Sequence, residues 1–170
     1  MCIKYVDLLL VGNVQGLGLL NIELTKDFPK LNLNSKLKSD QLKKLRHITL
    51  SELWIMGTYE ILRLTKDILV KNTNFSDQSK NKVREILSNF TEIRIPLVKF
   101  QKMGKNNRLY SGVTTPTFDS VKGLGWSIHT SNKEGVRTKI VYRSDLANEF
   151  LQLLKTLQED LRAKSISKQN

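Results

Sequence analysis

Apolar residues recur at helical spacing in four segments of the chain. The first segment spans about residues 6–27 and stops before Pro29, which cannot continue a helix. The other three span about residues 49–71, 77–95 and 144–163. Each segment carries apolar residues three or four positions apart, which places them on one face of a helix. We therefore predict four helices, each with one face in a common core.

Short polar motifs mark where these helices should begin. Thr49 and Glu52 fit a capping box, in which each side chain accepts a hydrogen bond from the other's backbone amide. Ser76 and Ser144 are typical N-cap residues for the third and fourth helices. If the second helix begins at the capping box, residues 29–47 form an exposed polar connection with room for one short helix.

The pattern changes after residue 105, where apolar and polar residues alternate. Trp126 and Ile128 precede the turn-rich segment 131–135, and Ile140 and Tyr142 follow it. A two-residue period on both sides of a turn predicts a β-hairpin, and these four residues would face the core. Pro116 would restrict any further strand to a sheet edge.

These elements predict an α+β fold in a single domain. A mainly helical antiparallel bundle carries a β-hairpin or three-stranded meander, about residues 110–143, before its C-terminal helix. Residues 164–170 are expected to fray. The predicted core comprises Leu10, Leu17, Trp54, Ile61, Phe90, Ile93, Trp126, Ile140, Phe150, Leu154 and Leu157.

Composition excludes several classes of protein. Cys2 is the single cysteine, so no internal disulfide can form. The apolar run at residues 5–20 is shorter and more polar than the roughly 20 residues a membrane span needs, which favours a cytoplasmic protein without a membrane partner. His47 and His129 are the only histidines, and both are expected to be solvated. Without a cluster at ligand spacing, we predict no metal and no cofactor.

The net charge of +12 is concentrated in three segments. Residues 26–46, 99–110 and 133–143 carry +5, +4 and +3, while the rest of the chain is close to neutral. Clustered positive charge favours a non-enzymatic protein that binds nucleic acid or another polyanion through a basic hairpin and loops. The competing interpretation is a compositional bias toward lysine. The candidate nucleic-acid-binding residues are Lys102, Lys105, Arg108, Arg137, Lys139 and Arg143.

A second hypothesis comes from residues 90–100, FTEIRIPLVKF, which end one long predicted helix that follows another. This string resembles the Arg-x4–6-His region of HEPN helical bundles, many of which are RNases. The resemblance covers about residues 49–100, and Arg94 matches the motif arginine, but Lys99, Phe100 and Gln101 occupy the three positions allowed for the histidine. It implies an RNase or a toxin or defence component, which the missing base would leave inactive. The candidate catalytic residues are Glu60, Arg63, Arg94 and Lys99.

A third hypothesis is a protein–protein adaptor that acts as a homodimer. The segment at residues 53–63 and the segment at residues 143–147 resemble small bacterial proteins, but the resemblance implies no activity. Sequence patterns leave these three hypotheses open, because each depends on which side chains the fold brings together.

Overall fold

In the computed structural model, residues 2–71, 75–99, 114–132 and 135–167 are described. Side chains are described for residues 11–71, 75–94, 97, 114–129 and 137–163. The elements in chain order are α1 (Cys2–Asp27), a 3₁₀ turn (Phe28–Lys30), α2 (Lys38–Lys71), α3 (Asp77–Lys99), β1 (Thr114–Asp119), β2 (Gly123–Asn132), β3 (Gly135–Tyr142) and α4 (Arg143–Ser167).

The predicted α+β class is confirmed. The three described strands form an antiparallel meander in the order β1-β2-β3, and α4 follows β3 directly. Pro116 lies in β1, at the edge of the sheet, where its missing N–H does not interrupt a central strand. The contacts between α1 and α2 run in opposite senses along the chain, since Glu23 contacts Arg46 and Leu17 contacts Trp54.

The second helix begins earlier than its capping box predicts. α2 starts at Lys38, so Thr49 lies inside the helix and does not cap it. The intervening residues are rich in lysine, leucine, glutamine and arginine, which are strong helix formers. The Lys44 ammonium donates to the carbonyls of Leu33 and Ser35 at 2.7 and 3.0 Å, which ties the preceding connection to the helix.

The start of α3 agrees with the sequence pattern. The Ser79 amide donates to the Ser76 hydroxyl at 3.2 Å, which makes Ser76 the N-cap. Asp160 of α4 accepts hydrogen bonds from the Ser76 amide and from the hydroxyls of both serines. Farther along α3, the Asn89 amide donates to Glu149 at 3.0 Å. These contacts hold α3 and α4 antiparallel.

Most of the predicted core is buried. Trp54, Ile61, Phe90, Ile93, Trp126 and Phe150 belong to one apolar cluster formed by the helices and the inner face of the sheet. Leu17, Leu154 and Leu157 are partly buried against that cluster. The side chain of Leu10 lies outside the described residues.

The predicted inner face of β3 is wrong by one residue. Ile140 is 43% exposed, whereas Val141 pairs with Trp126 and packs against the core. Directly opposed residues of paired strands share a face, so Lys139, the partner of Ile128, shares the side that packs inward. Ile140, Val141 and Tyr142 are consecutive and apolar, so alternation alone could not decide which of them faces inward.

Within the residues that the structure describes, none of the helices is both long enough and apolar enough to cross a bilayer.

Candidate anion-binding site

The predicted basic ribbon does not form one free cationic surface. Lys102, Lys105 and Arg108 lie outside the described residues. Lys139 places its Nζ atom 2.7 Å from Glu92 Oε2 of α3, in a pair whose two side chains are about half exposed. Arg137 is exposed on β3. The ribbon therefore contributes less available positive charge than its sequence predicts.

Arg143 is buried, so its predicted place on the solvent face of the ribbon is wrong. It is the first residue of α4, and its side chain turns toward α1 with only 6% of its surface exposed. Nη1 donates to Asn21 Oδ1, Nη2 donates to Thr25 Oγ1 at 3.4 Å, and Nε has no hydrogen-bond partner. Burial lowers the pKa of Arg143 to about 10.

Arg143 also has no carboxylate partner among the described residues. A buried charge without an opposite charge is costly, because desolvation is not offset by attraction. The neutral oxygens of Asn21 and Thr25 satisfy part of its hydrogen-bonding capacity but none of its charge. The fold therefore keeps a concentrated positive charge between α4 and α1.

His47 is buried beside this charge and is not the solvated histidine that we expected. It lies on the inner face of α2, 4% exposed, with its ring 5.8 Å from the Phe28 ring. Its Nε2 atom has no hydrogen-bond partner. Burial and then the charge of Arg143 lower the pKa of His47 from 6.5 to about 4, although Asp27 opposes them. The imidazole is therefore neutral at pH 7.

His47 forms part of the wall of a cavity of about 290 Å³. The cavity lies where the end of α1, the 3₁₀ turn and the first part of α2 meet. Its apolar lining comes from Leu24, Leu31 and Leu50. Its charged lining comes from Lys30, Lys43, Arg46 and Asp27. The cavity thus combines an apolar wall with an excess of positive charge.

The three cations of the lining each contact a carboxylate. Lys30 lies 2.8 Å from Asp27, Lys43 3.3 Å from Asp40 and Arg46 3.1 Å from Glu23. The cationic side chains are largely exposed in these pairs, and water screens exposed ion pairs so that each contributes little to stability. An anionic ligand can therefore replace the carboxylates as partner without a large loss.

The basic surface continues from the cavity along the chain. Lys26, Lys36 and Lys38 are exposed and form no ion pair with any carboxylate that the structure describes. Together with the cavity lining and Lys44, they make up the seven basic residues of segment 26–46, which holds only two acidic ones. We call this segment the basic connection.

The predicted contact between Glu60 and Arg94 is made, but it lies at the surface. Arg94 Nη2 is 3.3 Å from Glu60 Oε1, and Arg63 Nε is 2.8 Å from Glu60 Oε2. The Arg94 guanidinium also lies over the Tyr59 ring, 4.3 Å from its centroid. The Glu60 side chain is 44% exposed, so this is no buried ion pair in a cleft. The side chain of Lys99 lies outside the described residues, and an RNase role for this group stays a prediction.

The surface position of this cluster sets the size of its contribution. A double-mutant cycle between Glu60→Gln and Arg94→Leu should give a coupling energy of about 0.5–1 kcal/mol in urea unfolding, because partly exposed pairs are screened by water. The matched control is Arg84→Leu on the same helix, which bonds only to Asn81 among the described residues and should show no coupling to Glu60. A coupling above about 3 kcal/mol would show that the pair is buried and contradict the observed exposure.

Over the described residues, no group of three or more histidine, cysteine, aspartate and glutamate side chains could hold a metal ion. The candidate site is the cavity itself, whose lining combines cationic side chains with an apolar wall.

Comparison with known proteins gave no match: no family model, no curated protein and no solved structure corresponds to this chain.

Proposed function

We propose that this protein is a non-enzymatic nucleic-acid-binding protein and that the basic connection, residues 26–46, is its main contact surface. The observation that carries the proposal is the concentration of seven cations against two carboxylates in one short exposed segment. A phosphate backbone presents regularly spaced negative charge and binds such a segment mainly by releasing its counterions. No base-reading element is needed for binding of this kind.

The distribution of partners supports the basic connection over the ribbon. Arg143 is buried and cannot offer its charge to a backbone in solution, whereas Lys139 contacts Glu92 in an exposed pair like those of the cavity lining. Lys26, Lys36 and Lys38 lie between the end of α1 and the start of α2, in the same segment of the chain as the cations of the cavity. The segment therefore offers more exposed cations than the described part of the ribbon does.

Neutralising Lys26, Lys36 and Lys38 together by Lys→Gln substitution should weaken binding to a short random-sequence duplex by about tenfold or more. Each lost phosphate contact should also reduce the slope of log affinity against log salt by about 0.9. Fluorescence anisotropy with a labelled duplex, between about 50 and 200 mM salt, measures both quantities.

The matched control neutralises Lys66, Lys71 and Lys155, which removes the same charge elsewhere on the molecule. Lys71 lies in the last turn of α2, as Lys26 does in the last turn of α1, so the two triple variants also perturb a helix end alike. The control should bind the duplex nearly as well as the unmodified protein. Equal losses in the two triple variants would mean that net charge alone drives binding, and affinity insensitive to salt would rule out the proposal.

A further inference from the structure

We infer that the cavity between α1, the 3₁₀ turn and α2 binds the dianion of a phosphate monoester, with the organic group of the ester against the leucine wall. The inference goes beyond binding of a polymer, since a free monoester would occupy the cavity even if the basic connection bound no nucleic acid. Four features of the cavity support it: its charge, its apolar wall and size, the buried His47 and the buried Arg143.

The cations of the lining suit a phosphate group. Lys30, Lys43 and Arg46 line the cavity, and each contacts a carboxylate in a largely exposed pair that an anionic ligand can compete with. A phosphate monoester carries about −1.5 to −2 at pH 7 and offers three acceptor oxygens. Arginine presents a planar pair of donors to such a group, and lysine adds a compact point charge. An internal phosphodiester carries a single charge and would compete less well for the same cations.

The apolar wall and the volume fit the organic part of a small ester. Leu24, Leu31 and Leu50 give the cavity an apolar surface. Inorganic phosphate has no apolar group to bury against this surface, so contact with the leucines would not strengthen its binding. A cavity of about 290 Å³ lies at the lower end of the range for small-molecule sites. The ligand is therefore a small phosphorylated metabolite or a single terminal nucleotide, and not a larger cofactor.

The two buried groups, His47 and Arg143, also favour an anionic ligand. His47 has an unpartnered Nε2 and lies close enough to Arg143 for the guanidinium to lower its pKa. Arg143 has no carboxylate partner in the described part of the chain. A dianion in the cavity would supply the negative charge that this region lacks, without touching Arg143.

Occupation of the cavity would consequently change the titration of His47. The charged groups that face His47 are Arg143 from α4 and Asp27 from α1, and the cavity adds Lys43 and Arg46 from α2 and Lys30 from the 3₁₀ turn. Arg143 disfavours the imidazolium and Asp27 favours it. A bound anion favours it, so binding should raise the pKa of His47 above its value of about 4 in the free protein.

The test uses the full chain and adenosine 5′-monophosphate as the probe, with adenosine and inorganic phosphate as partial ligands. Calorimetry should give an affinity for the monophosphate at least about tenfold above that for either partial ligand. NMR titration of the His47 ring should show its pKa raised in the complex. The double variant Lys43→Gln and Arg46→Gln, with both substitutions at exposed positions, should weaken binding of the monophosphate by about tenfold or more.

Three outcomes would overturn the inference: equal binding of adenosine and its monophosphate, equal binding of inorganic phosphate and the monophosphate, or an unchanged His47 titration at saturation. The triple variant of Lys26, Lys36 and Lys38 separates this site from polymer binding, because none of its residues lines the cavity. It should lose duplex affinity and keep monophosphate affinity. In this triple variant, competition by an oligonucleotide with a 5′-phosphate, but not by its 5′-hydroxyl form, would identify a strand end as the ligand, and no competition would identify a free monoester.

Discussion

Replacing Trp54 by alanine should lower the free energy of unfolding by about 3–5 kcal/mol. Trp54 is 2% exposed, its ring lies 5.8 Å from that of Phe90, and its Nε1 donates to the Leu17 carbonyl at 3.1 Å. One side chain thus joins α2 to α3 and α1. Urea unfolding followed by circular dichroism measures the loss of stability. The substitution should also disturb the cavity, because Trp54 holds α1 in place and α1 forms one of the cavity walls.

Two further variants show whether packing explains this loss. Trp54→Phe keeps an aromatic ring in the core but removes the N–H donor, so it should cost less than Trp54→Ala and more than about 1 kcal/mol. Leu53→Ala alters the neighbouring residue, which is half-exposed, and should cost less than about 1 kcal/mol. Comparable losses in Trp54→Ala and Leu53→Ala would contradict the central role of Trp54.

Acidification from pH 6.5 to pH 4 should lower the free energy of unfolding through His47 by about 2–3 kcal/mol. The pKa of His47 is about 4 in the folded protein and 6.5 in the unfolded chain. Between pH 6.5 and pH 4 the unfolded chain binds a proton at His47 that the folded protein does not bind. The free energy of unfolding therefore decreases as the pH falls. The full contribution is present above pH 6.5, and the loss is complete near pH 4.

The control for this prediction removes the titrating group. Urea unfolding at several pH values should show a clearly weaker pH dependence in His47→Gln than in the unmodified protein, whereas His129→Gln should leave the dependence in place. Glu52 acts in the opposite direction, because burial raises the pKa of its carboxyl, so the comparison between variants isolates His47. An identical pH dependence with and without His47 would contradict the burial of its neutral form.

Local pattern was sufficient for most elements of the fold. Helical spacing and the serine at position 76 were correct for α3, and alternation on both sides of a turn was correct for the β2–β3 hairpin. These features depend on residues that are close in sequence. The start of α2 failed because a capping-box motif also occurs inside helices when the preceding residues favour helix.

The position of one residue of the candidate site, His47, could also have been predicted from the sequence. Once α2 is extended back to Lys38, His47 continues the inner-face series that Ser51 and Trp54 follow, which would have placed it in the core. No comparable signal existed for Arg143. Its position after a basic strand suggested a solvent-facing cation, and only the turn of α4 against α1 brings it onto Asn21 and Thr25.

By itself the sequence determined the α+β class, the order of helices and strands, and the basic connection as the most positively charged segment, because each depends on neighbouring residues. The tertiary structure alone decided which face of β3 is buried, which cations contact carboxylates of other elements, and that the buried Arg143 lies close enough to His47 to lower its pKa. Those outcomes depend on packing between segments far apart in the chain, and no local pattern encodes which distant groups will share a desolvated space.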